Sequence, residues 1–268
     1  LAETIEEELW FGDSDPARTE SEASQSLAAA VGQAAGLKPF PPLASQLINI
    51  LNQPGYQASE VLRLIETDPG MVTRLLGVAN SAAFMTRSSC DSVEQALVRL
   101  GALTLRDIVA GIAAVSLFAD DASHDPAQLK PIVRAHCTGV AAIARALADI
   151  WRFKKAEQVF LAGLMHDLGK MLSLQCGEIA YHEMPAEAHQ QVDRGHRLER
   201  QMVGYDHGVL GAHVLGLWNF PESVKRVVAW HHQPGRAYEE GGEVGLMVAL
   251  VRVADAIDLR LTEDHEFN

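Results

Sequence analysis

The sequence predicts an all-α fold built as two packed helical halves. Three observations carry this expectation. Apolar residues recur at helical spacing along most of the chain, strand alternation is absent, and helix-start and helix-stop residues interrupt the periodic segments at short intervals. Leu43, Leu47, Ile50 and Leu51 share one stripe, which Pro54-Gly55 ends. Val61, Leu62, Leu64 and Ile65 form a short helix stopped at Asp68-Pro69-Gly70, and Val72, Leu75, Leu76 and Ala79 form the next. Ser92 with Gln95 reads as a capping box before Val93, Leu97 and Leu100, and a long apolar helix follows from about Leu103 to Phe118. Asp125-Pro126 supplies an N-cap and a first-turn proline for a helix reaching about Trp151. Further helices are expected near 155–175, 178–190, 194–218, 221–232 and 243–261. With the boundary in the loop Asp120 to Ser123, the chain divides into an acidic N-terminal tail or helical arm (1–36), an N-terminal helical half (37–122) and a C-terminal half (123–268).

Composition narrows the function classes. In 268 residues, 48% are hydrophobic and 21% charged, enough for a sizeable buried core. The 22 basic and 35 acidic residues leave a net charge of −13, which repels a phosphate backbone, so no nucleic-acid partner is expected. Cys90, Cys137 and Cys176 lie far apart without a CxxC pair. That pattern fits a reducing cytosol better than a disulfide framework or a thiolate zinc site. No apolar run reaches the roughly 18 residues a membrane span needs, so no membrane partner is expected. The acidic stretch from Glu3 to Glu8 has the wrong charge for a signal peptide, and a cytoplasmic location is expected.

Of 11 histidines, seven fall between His182 and His232, so position on a helix must select among them. His136 shares a stripe with Val133, Val140 and Ile143 and points inward, either as a core histidine bonded to a carbonyl or as a ligand. His166-Asp167 lies in the apolar segment LAGLMHDLGK. An ionised aspartate there needs a cation or hydrogen-bond partners, and Lys170, three residues on, is one candidate partner. Asp255 continues the stripe of Val244, Val248 and Val251, with Asp258 as the competing choice, and a helix-end salt bridge explains either. Taken together, His136, His166, Asp167 and Asp255 offer two imidazoles and two carboxylates, a set suited to Fe, Mn, Zn or Mg. His207 and His231 also lie on apolar faces, and His232 ends the helix beside His231; all three extend the set. If Asp167 bridges, they would hold a second ion about 3.5–4 Å from the first; capping or surface roles are the other reading. His213 faces elsewhere, and His124, His182, His189, His196 and His265 are expected on the solvent side. Arg194, Arg197 and Arg200 read as a solvated helix face with Glu199, although a phosphate contact is open to them.

The order H…HD…D resembles the HD phosphohydrolase superfamily, in which these residue types bind metal. The resemblance extends further. PPLASQLINILNQPG, VLRLIETDPGMVTRLLGVANSAAF and SVEQALVRLGALTLRDIV resemble the N-terminal half of the HDOD family, the HD-related output domains of bacterial signalling. FLAGLMHDLGK, GYDHGVLGAHVLGLWNFPESVKRVVAWHHQP and LVRVADAID resemble its HD-like C-terminal half. His207 and His231-His232 also resemble the HD-GYP phosphodiesterases, but QPGRAYEEGG follows without a GYP motif, which speaks against cyclic-di-GMP hydrolysis.

The resemblance implies a signal-transduction output or regulatory domain, with a protein partner in its pathway and one or two divalent ions. The other class is a metal-dependent phosphohydrolase acting on a nucleotide or other phosphate ester. There Asp167 and Lys170 would be catalytic, with Lys170 holding a non-bridging oxygen of the phosphate-containing ligand. The acidic net charge, with Lys170 as the one basic group expected beside the ions, favours the signalling module, for which little or no hydrolysis is expected.

Overall fold

The computed structural model describes residues 20–37, 41–51, 53–81, 84, 89–116, 129–177, 179, 181, 184 and 195–265. Among these the fold is all-α, with no strand. The end of the expected N-terminal arm is α1 (Glu20–Leu37), which buries Ala23, Leu27, Ala30 and Ala34 along one stripe.

The N-terminal half follows as α2 (Pro42–Leu51), α3 (Ala58–Glu66), α4 (Pro69–Ala79) and α5 (Val93–Ser116). Asp68 both ends the segment after α3 and caps α4, accepting the Met71 amide at 3.0 Å, with Pro69 preset for the first turn. The capping box is present with one partner displaced: Ser92 Oγ accepts the Gln95 amide at 3.2 Å, while Gln95 Oε1 accepts the amide of Asp91 at 2.9 Å. Asn80, directly after α4, accepts the Cys90 amide at 2.7 Å and donates to the Cys90 carbonyl at 2.8 Å. This two-bond clasp holds the segment before α5 against the end of α4. The helix α5 breaks at Gly101, whose φ of 75° and ψ of 167° leave the helical region.

The C-terminal half comprises α6 (Leu129–Ile150), α7 (Ala156–Met165), α8 (Leu168–Cys176), α9 (Gly195–Val203), α10 (His207–Leu217), α11 (Glu222–Trp230), α12 (Pro234–Glu240) and α13 (Gly242–His265). Two expected helices are in fact pairs. The segment 155–175 turns at His166-Asp167, where Asp167 has φ −100° and ψ 16°, and α8 starts in a new direction. Apolar periodicity continues across the turn, so it does not reveal the change of axis. The segment 194–218 divides at Gly204 (φ 91°) and Asp206, whose carboxylate accepts the Val209 amide at 2.9 Å and starts α10. Asp125-Pro126, His124, His182, His189, Arg194 and most of the expected helix 178–190 lie outside the described residues.

One hydrophobic core runs from Ala23 to Ala254 and includes Leu47, Ile65, Leu75 and Leu105 together with Leu161, Met165, Leu210 and Val251. The helix α5 packs on α7, and Phe84 meets Phe160 edge-on at 5.4 Å. The N-terminal half thus braces the helix that leads into His166-Asp167. On the other side, α1 packs on α8 and α10, while α6 and α13 pack along one another. No helix among the described residues is long and apolar enough to cross a membrane.

Candidate metal centre

Five separate points of the chain converge inside the C-terminal half. His136 comes from the middle of α6, His166 and Asp167 from the turn between α7 and α8, and His207 from the first residue of α10. His231 and His232 follow the end of α11, and Asp255 lies on α13. Their ligand atoms form two groups, His136–His166–Asp255 and Asp167–His207–His231–His232, each with all atoms within 4.8 Å of one another.

Asp167 stands between the two groups. Its Oδ2 is 3.5 Å from His166 Nε2, and its Oδ1 is 3.0 Å from His207 Nε2 and 3.9 Å from His231 Nε2. Asp255 Oδ1 lies 3.1 Å from His136 Nε2. The second group is tighter still: His207 Nε2 is 3.2 Å from His231 Nε2 and 3.0 Å from His232 Nε2. All seven expected ligand residues are therefore brought together. Lys170 joins them, its Nζ 2.9 Å from Asp167 Oδ2, as expected from the three-residue spacing.

The other ring nitrogens explain what the cluster lacks. His136 Nδ1 is 2.7 Å from Asp258 Oδ2, and His207 Nδ1 is 2.7 Å from Glu199 Oε2. His166 Nδ1 faces the Gly163 carbonyl and His231 Nδ1 the Val228 carbonyl, each at 2.7 Å. Every one of these four Nδ1 atoms meets an acceptor, so it carries a proton and Nε2 faces inward, as a lone pair wherever the ring is neutral. Several lone pairs and two carboxylates then face one another in a buried space. One proton on His207 serves only one of its three close neighbours, whereas a divalent cation serves them all. The donor set, nitrogen and oxygen without thiolate, fits a borderline or hard divalent ion.

The electrostatics divide the rings: at His136 burial opposes protonation, but the Asp255 and Asp167 carboxylates outweigh it and raise the ring. Burial pushes the His231 and His232 rings well below the usual imidazole range, reinforced by neighbouring imidazoles, and burial lowers His166 despite nearby Asp167. These rings are neutral and free to donate. For His207, burial opposes protonation, but the Glu199 and Asp167 carboxylates outweigh it and raise the ring to about 9. Burial likewise works against the Asp167 charge, yet His166, Lys170 and His207 hold the carboxyl well below its ordinary value. Asp167 is 1% exposed and ionised, a condition that needs the positive groups around it.

Two glycines make the convergence possible. A Cβ at Gly139 would collide with the Asp258 carboxylate that orients His136, and a Cβ at Gly169 would collide with the His207 backbone carbonyl. The turn after Asp167 can therefore touch the start of α10. Gly169→Ala is expected to destabilise the protein by about 1–3 kcal/mol and to weaken divalent-metal binding, because overpacking forces α8 and α10 apart. Chemical denaturation and metal titration of this variant check both effects.

Several functional residues differ from the sequence expectation. His196 is not on the solvent side: it is 6% exposed and stacks on His232, centroids 4.7 Å apart and planes at 8°. Burial pushes its ring down to about 4, so it is neutral. Glu199 is fully buried and binds the His207 amide and ring, and Arg200 is buried against Asp206 with contacts of 2.9 and 2.7 Å. The expected solvated face of α9 is thus half interior, with Arg197 alone of these exposed. Asp258 is not an alternative to Asp255; both bind His136, one at each ring nitrogen. His136 is accordingly held by two carboxylates, not by a carbonyl. Lys170 is also not the only cation nearby. A cleft of about 780 Å³ opens beside His232 and is lined by Arg197, Arg200 and Arg236.

An all-α core that gathers five histidines and two aspartates in two adjoining groups defines a candidate metal-centre protein. The chain belongs to the HDOD family, whose domain model matches residues 37–234. A curated relative from Treponema pallidum (strain Nichols), described as an "Uncharacterized protein", is 29% identical over 208 residues, covering 75% of this chain. This chain spans 39% of that relative's length. A crystal structure of a "Putative phosphohydrolase" from Shewanella amazonensis SB2B is 25% identical with a TM-score of 0.66, covering 85% of this chain and 80% of that one. An HDOD domain protein of unknown function from Geobacter sulfurreducens shares the fold at 23% identity and a TM-score of 0.60, covering 85% of this chain and 77% of that one.

Proposed function

We propose that this HDOD domain is a metal-dependent phosphohydrolase whose centre holds two divalent ions, one in each histidine group, with Asp167 between them. The observation that carries this reading is the placement of Asp167: one carboxylate oxygen faces each group, with imidazole nitrogens gathered around it. His136, His166 and Asp255 would hold one ion, and His207, His231 and His232 the other. Ions held there would polarise a phosphoryl oxygen and acidify water near neutral pH.

The chain's own groups supply the rest. Lys170 is partly exposed, with 28% of its side chain accessible, and its ammonium beside Asp167 can donate to a non-bridging phosphoryl oxygen and offset its charge. Glu199 and Asp258 fix two rings in place, so that the ligand geometry exists before substrate arrives. Arg197 and Arg236 line a cleft beside His232 in an otherwise acidic chain, so Lys170 does not stand alone as a cation near the centre. The description of the Shewanella structure, "Putative phosphohydrolase", names the same class. Family membership also supports a role in signalling, in which hydrolysis or ligand occupancy of this site is passed to a protein partner. The three free cysteines suit a reducing compartment such as the bacterial cytoplasm.

The test is turnover of p-nitrophenyl phosphate, bis-p-nitrophenyl phosphate and nucleotides by protein loaded with Mn, Fe or Zn, beside Asp167→Ala prepared in parallel. Hydrolysis that disappears in Asp167→Ala supports the enzyme. No turnover with any ion, or equal turnover in both proteins, returns the domain to the class of non-catalytic signalling modules.

A further inference from the structure

The cleft beside the metal centre has features the hydrolytic centre does not require. Arg197 and Arg236 line it, yet neither makes a hydrogen bond or ion pair among the described residues. Arg200, by contrast, is committed to Asp206, so it braces the wall and leaves the other two guanidiniums to meet a ligand. Among the described residues, two arginines without a partner and one carboxylate, Glu239, line the cleft and form a local positive site in a chain of net charge −13. His196 also lines the cleft, 6% exposed, with its ring stacked on His232.

The cleft borders the metal centre at His232. His232 lines it while its Nε2 lies 3.0 Å from His207 Nε2 within the ligand group, and His196 stacks on the same ring. We infer that Arg197 and Arg236 form a distal phosphate anchor, and that the ligand of this domain is an organophosphate carrying two phosphoryl groups separated by a sugar-sized spacer. This rests on the reading that the centre takes one phosphoryl group. The second then lies across the His196–His232 stack, where paired guanidiniums match phosphate oxygens in a planar, bidentate manner. The volume of about 780 Å³ is that of a nucleotide-sized ligand site.

Adenosine 3′,5′-bisphosphate and adenosine 5′-monophosphate serve as probes, titrated calorimetrically into metal-loaded wild type, R197Q/R236Q and Asp167→Ala. Wild type is expected to bind the bisphosphate at least tenfold tighter than the monophosphate. In R197Q/R236Q that advantage vanishes, so that the variant binds the two probes within about twofold of each other. The melting temperature of the double variant should match wild type, because neither arginine holds the fold together. Asp167→Ala should retain weak bisphosphate binding that an added R197Q/R236Q removes. An advantage that survives the arginine changes, or no advantage in wild type, overturns the distal anchor even if hydrolysis is observed. An arginine-dependent advantage without any turnover upholds the anchor and counts against the hydrolase alone.

Discussion

Asp167→Ala is expected to strip the centre of bound divalent metal and to reduce phosphoester hydrolysis on the order of 10³-fold or more. The size follows from its position. Among the described residues Asp167 is the one side chain with an oxygen directed at each histidine group, so its loss opens both at once. The stability effect depends on metal. A ligand present at one hundred times its dissociation constant stabilises the folded state by about 2.7 kcal/mol, which in a chain of this size corresponds to about 5–10 °C in melting temperature. The melting temperature of wild type should therefore rise when metal is added, and that of Asp167→Ala should not. Metal content by elemental analysis and paired thermal melts with and without chelator check both statements. An Asp167→Ala protein that keeps its metal would remove Asp167 from the ligand set.

Glu199→Ala is expected to cost about 3–5 kcal/mol of stability, or about 8–15 °C in melting temperature, although it touches no proposed ion. Glu199 is fully buried and satisfies two groups of one residue, the His207 amide at 2.8 Å and the His207 ring at 2.7 Å. Truncation leaves both without a partner and leaves His207 free to rotate. Metal affinity should fall 10–100-fold, the effect usual for losing the carboxylate behind a ligating histidine. Glu199→Gln keeps an acceptor of the same shape, so it should recover most of the stability and part of the affinity. Equal metal affinity in wild type and Glu199→Ala would show that His207 does not need this support.

The ligands were legible because they break an apolar pattern. His136 and Asp255 sit on helical stripes otherwise filled by valine, isoleucine and alanine, and a polar group in that position must have a partner inside. The helix start capped by Ser92 was legible from its local residues, while Asp68, read as a stop, also caps the helix after it. Changes of axis were not legible. The turn at His166-Asp167 places the ligands at a helix junction, but apolar spacing runs through it unbroken. The burial of α9 was hidden too, since Glu199 and Arg200 look solvated until His207 and Asp206 arrive from across the Gly204 turn to pair with them. The cleft was the least legible feature. Arg197 and Arg236 come from different helices, and only the return of α12 past His232 puts them on one cavity.

Anomalous scattering from crystals of the protein grown with manganese or zinc tests the two-ion centre most directly. The account predicts two anomalous peaks, one beside the His136–His166–Asp255 group and one beside the His207–His231–His232 group, with the Asp167 carboxylate between them. A single peak, or none at these residues in crystals where metal is bound elsewhere, would contradict it.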